Sequence, residues 1–222
     1  MNEALRRSVA HVLVADVADP QLDSDALHHL SRVLRLRRGE PVTVTDGAGQ
    51  WRSVTFTGDG VSVSGGVETV ARPDPVLTIA VAPPKGDRLE WLVAKCTEIG
   101  VDRIVLLDAE HSVVRWSGER LDRQLNRLRR VAAEAAMQSR RVWFPGITEP
   151  RPALDVLSDV AAAEPGGRPV TPADAAIAVG PEGGWSPKEL EVAGSTVTLG
   201  PNVLRVETAA VAAAVLMASA RR

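Results

Sequence analysis

The sequence contains no tyrosine, only two phenylalanines, and 3% aromatic residues in all. Base-stacking platforms need successive exposed rings, so a broad platform for single-stranded nucleic acid is excluded. A single cysteine, Cys96, rules out an intramolecular disulfide and any metal centre built on several thiolates, and it suits a reducing compartment. Its place on the apolar face of a predicted helix makes it a core residue. No apolar run is long enough to span a bilayer, and Met1 to Arg7 lacks the apolar stretch of a secretory signal, so a soluble, cytoplasmic protein is expected. Charge of one sign is lacking too. With a formal net charge of -2 there is no bulk attraction to a polyanion, and any affinity for RNA must come from local clusters of arginine. Finally, no Gly-x-Gly-x-x-Gly fingerprint and no Gly-Lys-Ser/Thr loop occur, so dinucleotide binding and phosphate cradling lose their usual signals.

What is present is 222 residues with 45% hydrophobic content, enough for one large core or two modest ones. Residues 11 to 70 read as short strands at His11 to Val14, Pro41 to Thr45, Trp51 to Thr57 and Val61 to Ser64, with one helix from Ser24 to Leu34. Asp46-Gly47-Ala48-Gly49 predicts a hairpin, and a small β-barrel domain over 1–72 follows. Ala71-Arg72-Pro73-Asp74-Pro75 is the candidate linker. From 76 to 222 strands alternate with helices: strand Val76 to Ala82, helix Arg88 to Ile99, strand Arg103 to Leu107, and a long helix from Glu119 to about Ser139. A helix over Ala153 to Ala163, a mobile loop over Glu164 to Asp174, strand Ala175 to Val179, a short helix from Pro187 and strand Thr196 to Leu199 follow. The fold class is therefore α/β, with a mainly parallel sheet covered on both faces and ligands expected beyond its strand carboxyl ends. The closing helix from Glu207 to about Ala220 is apolar on all sides, so it belongs inside the domain or in a subunit interface.

Two loops carry the chemistry. Gly180-Pro181-Glu182-Gly183-Gly184 follows a strand and precedes a helix start in which Ser186-Pro187-Lys188-Glu189 fits a capping box, with Trp185 and Leu190 placed for a hydrophobic staple. Glycines let backbone approach a ligand and expose amide donors, as a nucleoside-like cofactor requires, although on spacing alone they serve equally well as a sharp turn. The second loop, Leu199-Gly200-Pro201-Asn202-Val203-Leu204-Arg205-Val206-Glu207-Thr208-Ala209, also joins a strand to a helix and sets an arginine and an acid at that helix's amino end. Taken alone, Glu207 or Thr208 could be a cap and Arg205 a surface ion-pair partner. Two such loops on successive strands can instead face each other across one pocket.

The pair of loops resembles the ribosomal RNA small-subunit methyltransferase E family of the SPOUT superfamily, whose signature has a Gly-Pro-Glu-Gly-Gly turn and a Leu-Gly-x-x-Val/Ile-Leu-Arg-x-Glu-Thr-Ala turn. The resemblance extends to Lys85-Gly86-Asp87-Arg88 with Lys95, Glu98 and Gly100, to Glu134 through Gln138 and Arg141, and to His29, Val33-Leu34-Arg35 and Gly39. Where the family often has Glu-Gln-Ser-Gly-Arg, this chain departs with Met137-Gln138-Ser139-Arg140-Arg141. The resemblance implies a small PUA-like barrel that binds RNA, followed by an α/β domain with a deep trefoil knot formed by about 175–222. It implies a homodimer through the knotted domain and S-adenosylmethionine as cofactor, with no metal. The activity it implies is methylation of N3 of a uridine in 16S ribosomal RNA of the small subunit. Alternatives are a same-fold methyltransferase acting at another RNA position and a noncatalytic RNA-binding assembly factor.

By the same resemblance the cofactor is expected against Val179, Gly180, Pro181, Glu182, Gly183, Gly184, Leu199, Gly200, Pro201, Val203, Leu204, Thr208 and Ala209. Arg205 is the expected stabiliser of negative charge on the base's carbonyls, and Glu182 or Glu207 the proton acceptor. For RNA, Arg120, Arg123, Arg127 and Arg130 line one face of the long helix while Leu121, Leu125, Leu128 and Ala132 face the core; a solvated face paired with acids is the competing reading. Arg32, Arg35, Arg37 and Arg38 form a second cluster. Arg32, Arg35, Arg38, Arg88, Arg123, Arg127 and Arg141 are the expected RNA contacts.

Overall fold

A computed structural model describes residues 2–221, and the chain divides into two compact units. One runs up to Arg72 and takes in Ala133–Phe144; the other comprises Pro73–Ala132 and everything from Pro145 on. The first unit's opening stretch ends at Arg72. The return of Ala133–Phe144 to the first unit has no counterpart in the expected span of 76–222, because the helical periodicity that carries this segment continues without interruption from the second unit.

The first unit holds helix α1 (Glu3–Arg7), strand β1 (Ala10–Leu13), helix α2 (Ser24–His28), and strands β2 (Pro41–Thr45), β3 (Gln50–Phe56), β4 (Val61–Val63) and β5 (Glu68–Thr69). The sheet order is β1-β2-β3-β4, with β5 on β3; β1 runs parallel to β2 and the remaining pairs are antiparallel. The expected hairpin joins β2 to β3, held by Asp46 Oδ1, which accepts from the backbone of Ala48 at 2.7 Å and Gln50 at 3.0 Å. The single helix expected over Ser24 to Leu34 is instead one α-helical turn followed by a wider π turn, His29–Val33. Val12, Leu30, Val42, Val44, Val54 and Phe56 form the core.

The second unit contains β6 (Thr78–Val81), α3 (Arg88–Ile99), β7 (Arg103–Asp108), most of α4 (Gly118–Gln138), β8 (Gly146–Pro152), α5 (Leu154–Leu157), β9 (Ala161–Pro169), β10 (Ala176–Val179), α6 (Pro187–Val192), β11 (Ser195–Thr198) and α7 (Val206–Ala220). Its six strands are all parallel, in the order β11-β9-β10-β6-β7-β8. Successive strand residues point to opposite faces. Ile79, Val81, Ile104, Leu106, Ile177 and Val179 therefore enter one core with α3, α4 and α7, while Ala80, Val105, Leu107 and Ala178 enter another with Trp185 and α5. Both faces are covered, as the unbroken apolar runs require.

Two sequence readings are corrected. Only Leu154–Leu157 is helical in the stretch expected as helix from Ala153 to Ala163, and Ala161–Pro169, read partly as helix and partly as mobile loop, is a strand. The Ala-rich start of β9 favours helix intrinsically. Register against Ile177 and Ala178 on one side and Ser195 and Thr196 on the other overrides that preference. Strand β8, with prolines at 150 and 152, was missed because proline demotes a strand reading; it lies at the sheet edge, where proline is tolerated. Within α7, Val206, Ala209, Ala210, Ala213, Ala214 and Met217 are buried, whereas Val215 and Leu216 are 45% and 40% exposed. A single chain thus covers one face of this helix, not all of it. Among the described residues no helix is long and apolar enough to cross a membrane.

Candidate functional site

The glycine turn after β10 is fixed from both sides. On its carboxyl side Ser186 caps α6 with the reciprocal pair expected: its hydroxyl accepts from Glu189 N at 3.3 Å, and Glu189 Oε2 accepts from Ser186 N at 2.8 Å. Glu189 is buried, and its other oxygen accepts from Glu110 N at 2.9 Å, so the capping residue also ties down the loop after β7. Within the turn, the Trp185 indole lies against Gly180, and its Nε1 donates to Ala163 O at 3.1 Å. Trp185 is 8% exposed and packs with Leu190, which favours the staple role over base stacking. Gly184 has φ +74°, a left-handed conformation in which glycine is unstrained.

This turn and the loop after β11 line one cavity of about 410 Å³. Of the expected cofactor residues, Val179, Gly180, Pro181, Glu182, Gly184, Leu199, Gly200, Val203, Leu204 and Ala209 are on its wall; Gly183, Pro201 and Thr208 are not. Gly183 faces His111 instead, whose Nδ1 sits 3.1 Å from Gly184 O. The wall also includes Ala163, Glu164 and Pro165, which the sequence reading missed because it placed them at a helix end and in a loop rather than in β9. Cavities of this size, mostly apolar with a few polar groups and sited at strand carboxyl ends, accept small ligands in open α/β sheets.

Arg205 occupies the N-cap position of α7, exposed and on the cavity wall, with no side-chain cap bond. Glu182 is on the wall and partly exposed; Glu207, expected as its equal, is not on the wall, and its side chain is only 13% exposed. Arg88 lies between the two acids, 3.9 Å from each. This places Arg88, expected to meet RNA phosphate, beside the candidate site and in contact with carboxylates. Glu207 Oε2 is buried without a hydrogen-bond partner among the described residues. No group of three or more His, Cys, Asp or Glu gathers as a metal site among them either.

The other basic residues sort differently. Arg127 pairs with Glu90 at 2.8 Å and Arg123 with Glu119 at 3.4 Å, which is the solvated, paired helix face weighed above. Leu125, Leu128 and Ala132 are buried beneath them, as expected. In the first unit Arg32, Arg35 and Arg38 are all exposed around the π turn, and Arg35 takes a left-handed φ of 54°. Arg141 is half-buried, and its carbonyl oxygen accepts from His11 Nε2 at 3.0 Å. Arg140, at φ 61° where the resembled family often has glycine, donates to the carbonyls of Met137, Gln138, Ser8 and Val9 at 3.1 to 3.2 Å. Met137 is likewise engaged: its Sδ accepts from Leu13 N at 3.3 Å. Both departures from the motif therefore form compensating bonds within the first unit.

A family model described as an RNA methyltransferase domain matches residues 72–218. The chain is 33% identical over 215 residues to a ribosomal RNA small subunit methyltransferase E of Synechocystis, covering 85% of this chain and 69% of that one. A structure from Porphyromonas gingivalis, described as an rRNA-methyltransferase, superposes with a TM-score of 0.79 at 31% identity, covering 96% of this chain and 98% of the other. A Legionella pneumophila structure described as a methyltransferase in complex with the bound cofactor SAM gives a TM-score of 0.81 at 26% identity, with coverage of 96% and 98%.

Proposed function

Because this chain belongs to the RNA methyltransferase family, we propose that it transfers a methyl group from S-adenosylmethionine to N3 of a uridine in 16S ribosomal RNA of the small subunit. The observation that carries this reading is the convergence of the two glycine-containing loops on one cavity. Its support is the likeness over 96% of the chain to a structure that holds SAM, together with the likeness to the Synechocystis ribosomal RNA small subunit methyltransferase E.

The residues present fit the donor. Gly200, with nothing within 4 Å of its Cβ position, lets backbone approach it closely, apolar Val179, Leu199, Val203, Leu204 and Ala209 suit an adenine ring, and the carboxylates of Glu164 and Glu182 suit a cation. The donor supplies an activated methyl group; this chain must align the acceptor, exclude water and take up the N3 proton. Uracil N3 lies on the pairing edge, so the base has to be unpaired or flipped before it enters. Arg205, exposed at the cavity wall, stabilises charge building on the base's carbonyl oxygens.

In this reading the first unit is a PUA-like barrel that meets RNA phosphates through Arg32, Arg35 and Arg38, and 175–222 forms a trefoil knot around the cofactor. The open face of α7, with Val215 and Leu216 exposed, pairs with a second copy, and the protein works in the cytoplasm. The test is methyl transfer from labelled S-adenosylmethionine to purified small subunits, with nucleoside mass spectrometry of the product. 3-Methyluridine at one position is the expected result. Label on a different base would point to another RNA methyltransferase, and cofactor binding without transfer to an assembly factor.

A further inference from the structure

Arg88 stands at the first position of α3, within 3.9 Å of Glu182 on the glycine turn and 3.9 Å of Glu207 in the first turn of α7. The two acids differ in setting. Glu182 is on the cavity wall with a side chain 38% exposed, so a ligand can reach it; Glu207 is off the wall and mostly buried. A carboxylate sheltered from water is unfavourable unless paired, and one oxygen of Glu207 has no hydrogen bond among the described residues. The α7 amino terminus offers a favourable field, but Arg88 is the one full positive charge within 4 Å among the described residues.

We propose that Arg88 works inside the site as a positioning residue: anchored by Glu207, it holds the carboxylate of Glu182 at the cavity wall, where Glu182 accepts the proton released by the target base. This rests on the methyl-transfer reading and deepens it by separating the roles of the two acids. The step balances. The N3–H bond breaks and its proton goes to a Glu182 oxygen; the electron pair left on N3 forms the bond to the methyl carbon; the carbon–sulfur pair departs with the sulfur as a neutral thioether. Arg88 and Glu207 take no part in the bond changes.

The arrangement also explains why Arg88 should not behave as a phosphate contact. A phosphate contact contributes to RNA affinity and to its salt dependence, whereas a positioning residue contributes to the rate of the bound complex. The experiment measures kcat and KM for small subunits, the salt slope of RNA binding, and S-adenosylmethionine affinity for the wild type and for Glu182→Gln, Glu207→Gln, Arg88→Met and Arg88→Lys. Glu182→Gln is expected to lower kcat about 100-fold or more. Arg88→Met and Glu207→Gln are expected to lower it about 10-fold, with KM for RNA changed less than about twofold, and Arg88→Lys to recover part of the loss. A normal kcat in Arg88→Met, with a raised KM and a salt slope reduced by about one, would overturn the proposal in favour of phosphate contact. Full activity of Glu182→Gln would remove the proton acceptor. A double-mutant cycle of Arg88→Met and Glu207→Gln on thermal unfolding reads the anchor without substrate: coupling of about 2 °C is expected, and additive effects overturn it. Absence of methyl transfer by the wild type, with the coupling intact, would instead count against the methyl-transfer reading itself.

Discussion

Substituting Gly180 by alanine probes how tightly the first cavity loop is built. A Cβ at that position would lie 2.9 Å from Cε2, 3.0 Å from Cδ2 and 3.3 Å from Nε1 of Trp185. Carbon contacts are optimal near 3.5 to 4.0 Å, so the indole or the turn must withdraw by about half an ångström. The indole has little room, being buried and hydrogen-bonded to Ala163 O at 3.1 Å. Overpacking of this kind costs about 1–3 kcal/mol, and weakening the indole bond adds about 0.5–1.5 kcal/mol. A total near 2–3 kcal/mol corresponds to a Tm lower by about 5–10 °C. Gly184→Ala is the control: nothing lies within 4 Å of its Cβ position, and only the left-handed φ of +74° is strained, for about 1 kcal/mol and a Tm loss of about 2–4 °C. Differential scanning calorimetry gives both values, and titration with S-adenosylmethionine shows whether affinity falls with the displaced loop. Equal Tm losses for the two variants, or none for Gly180→Ala, would refute the reasoning.

Three further predictions concern the rest of the chain. His11 is buried between Thr43 Oγ1 and Arg141 O, and burial, with Arg140 nearby, holds its pKa down at about 4 from 6.5. The unfolded chain therefore binds the proton more readily, so the stabilisation is full above pH 6.5 and is lost as pH falls to about 4, by about 3 kcal/mol in all; urea unfolding between pH 7.5 and 4 should show this slope, and His11→Asn should flatten it. Arg140→Ala leaves the left-handed backbone strained and removes four donated bonds, so it should destabilise the first unit by about 2–3 kcal/mol; Arg140→Gly, relieved of strain, should lose less, and the reverse order in urea unfolding would contradict this account. Burial pushes the Cys96 thiol up to about 12, so a thiol reagent at pH 8 should label it only after denaturation; rapid labelling of the native protein would place it elsewhere.

Much of the second unit was legible because its strands are short, apolar and separated by helices with clear ends. The bounds expected for Arg88 to Ile99 match α3, and Ser186-Pro187-Lys188-Glu189 forms the capping box that its spacing announces. Legibility failed where tertiary contacts outweigh local preference. Gly167 in β9 is the plainest case, since a Cβ there would lie 2.7 Å from the backbone of Thr196 and Val197. A residue read as loop glycine permits the close approach of β11 at a register shift. The same error hid Glu164 and Pro165 from the expected cavity wall. The segment Ala133–Phe144 was misplaced for another reason: helical periodicity reports which face is buried, not which core buries it. Arg88 illustrates the limit for single residues, since an exposed-looking arginine near a cofactor loop reads equally as phosphate contact or carboxylate partner until its neighbours in space are known.

The claim underlying this account is that the turn Gly180–Gly184 and the loop Leu199–Arg205 close on one ligand, a methyl donor. Amide hydrogen exchange with and without S-adenosylmethionine tests it most directly. Slowed exchange in both segments, with little change in the first unit, is the predicted result; slowing in only one of the two, or in neither at saturating cofactor, would contradict it.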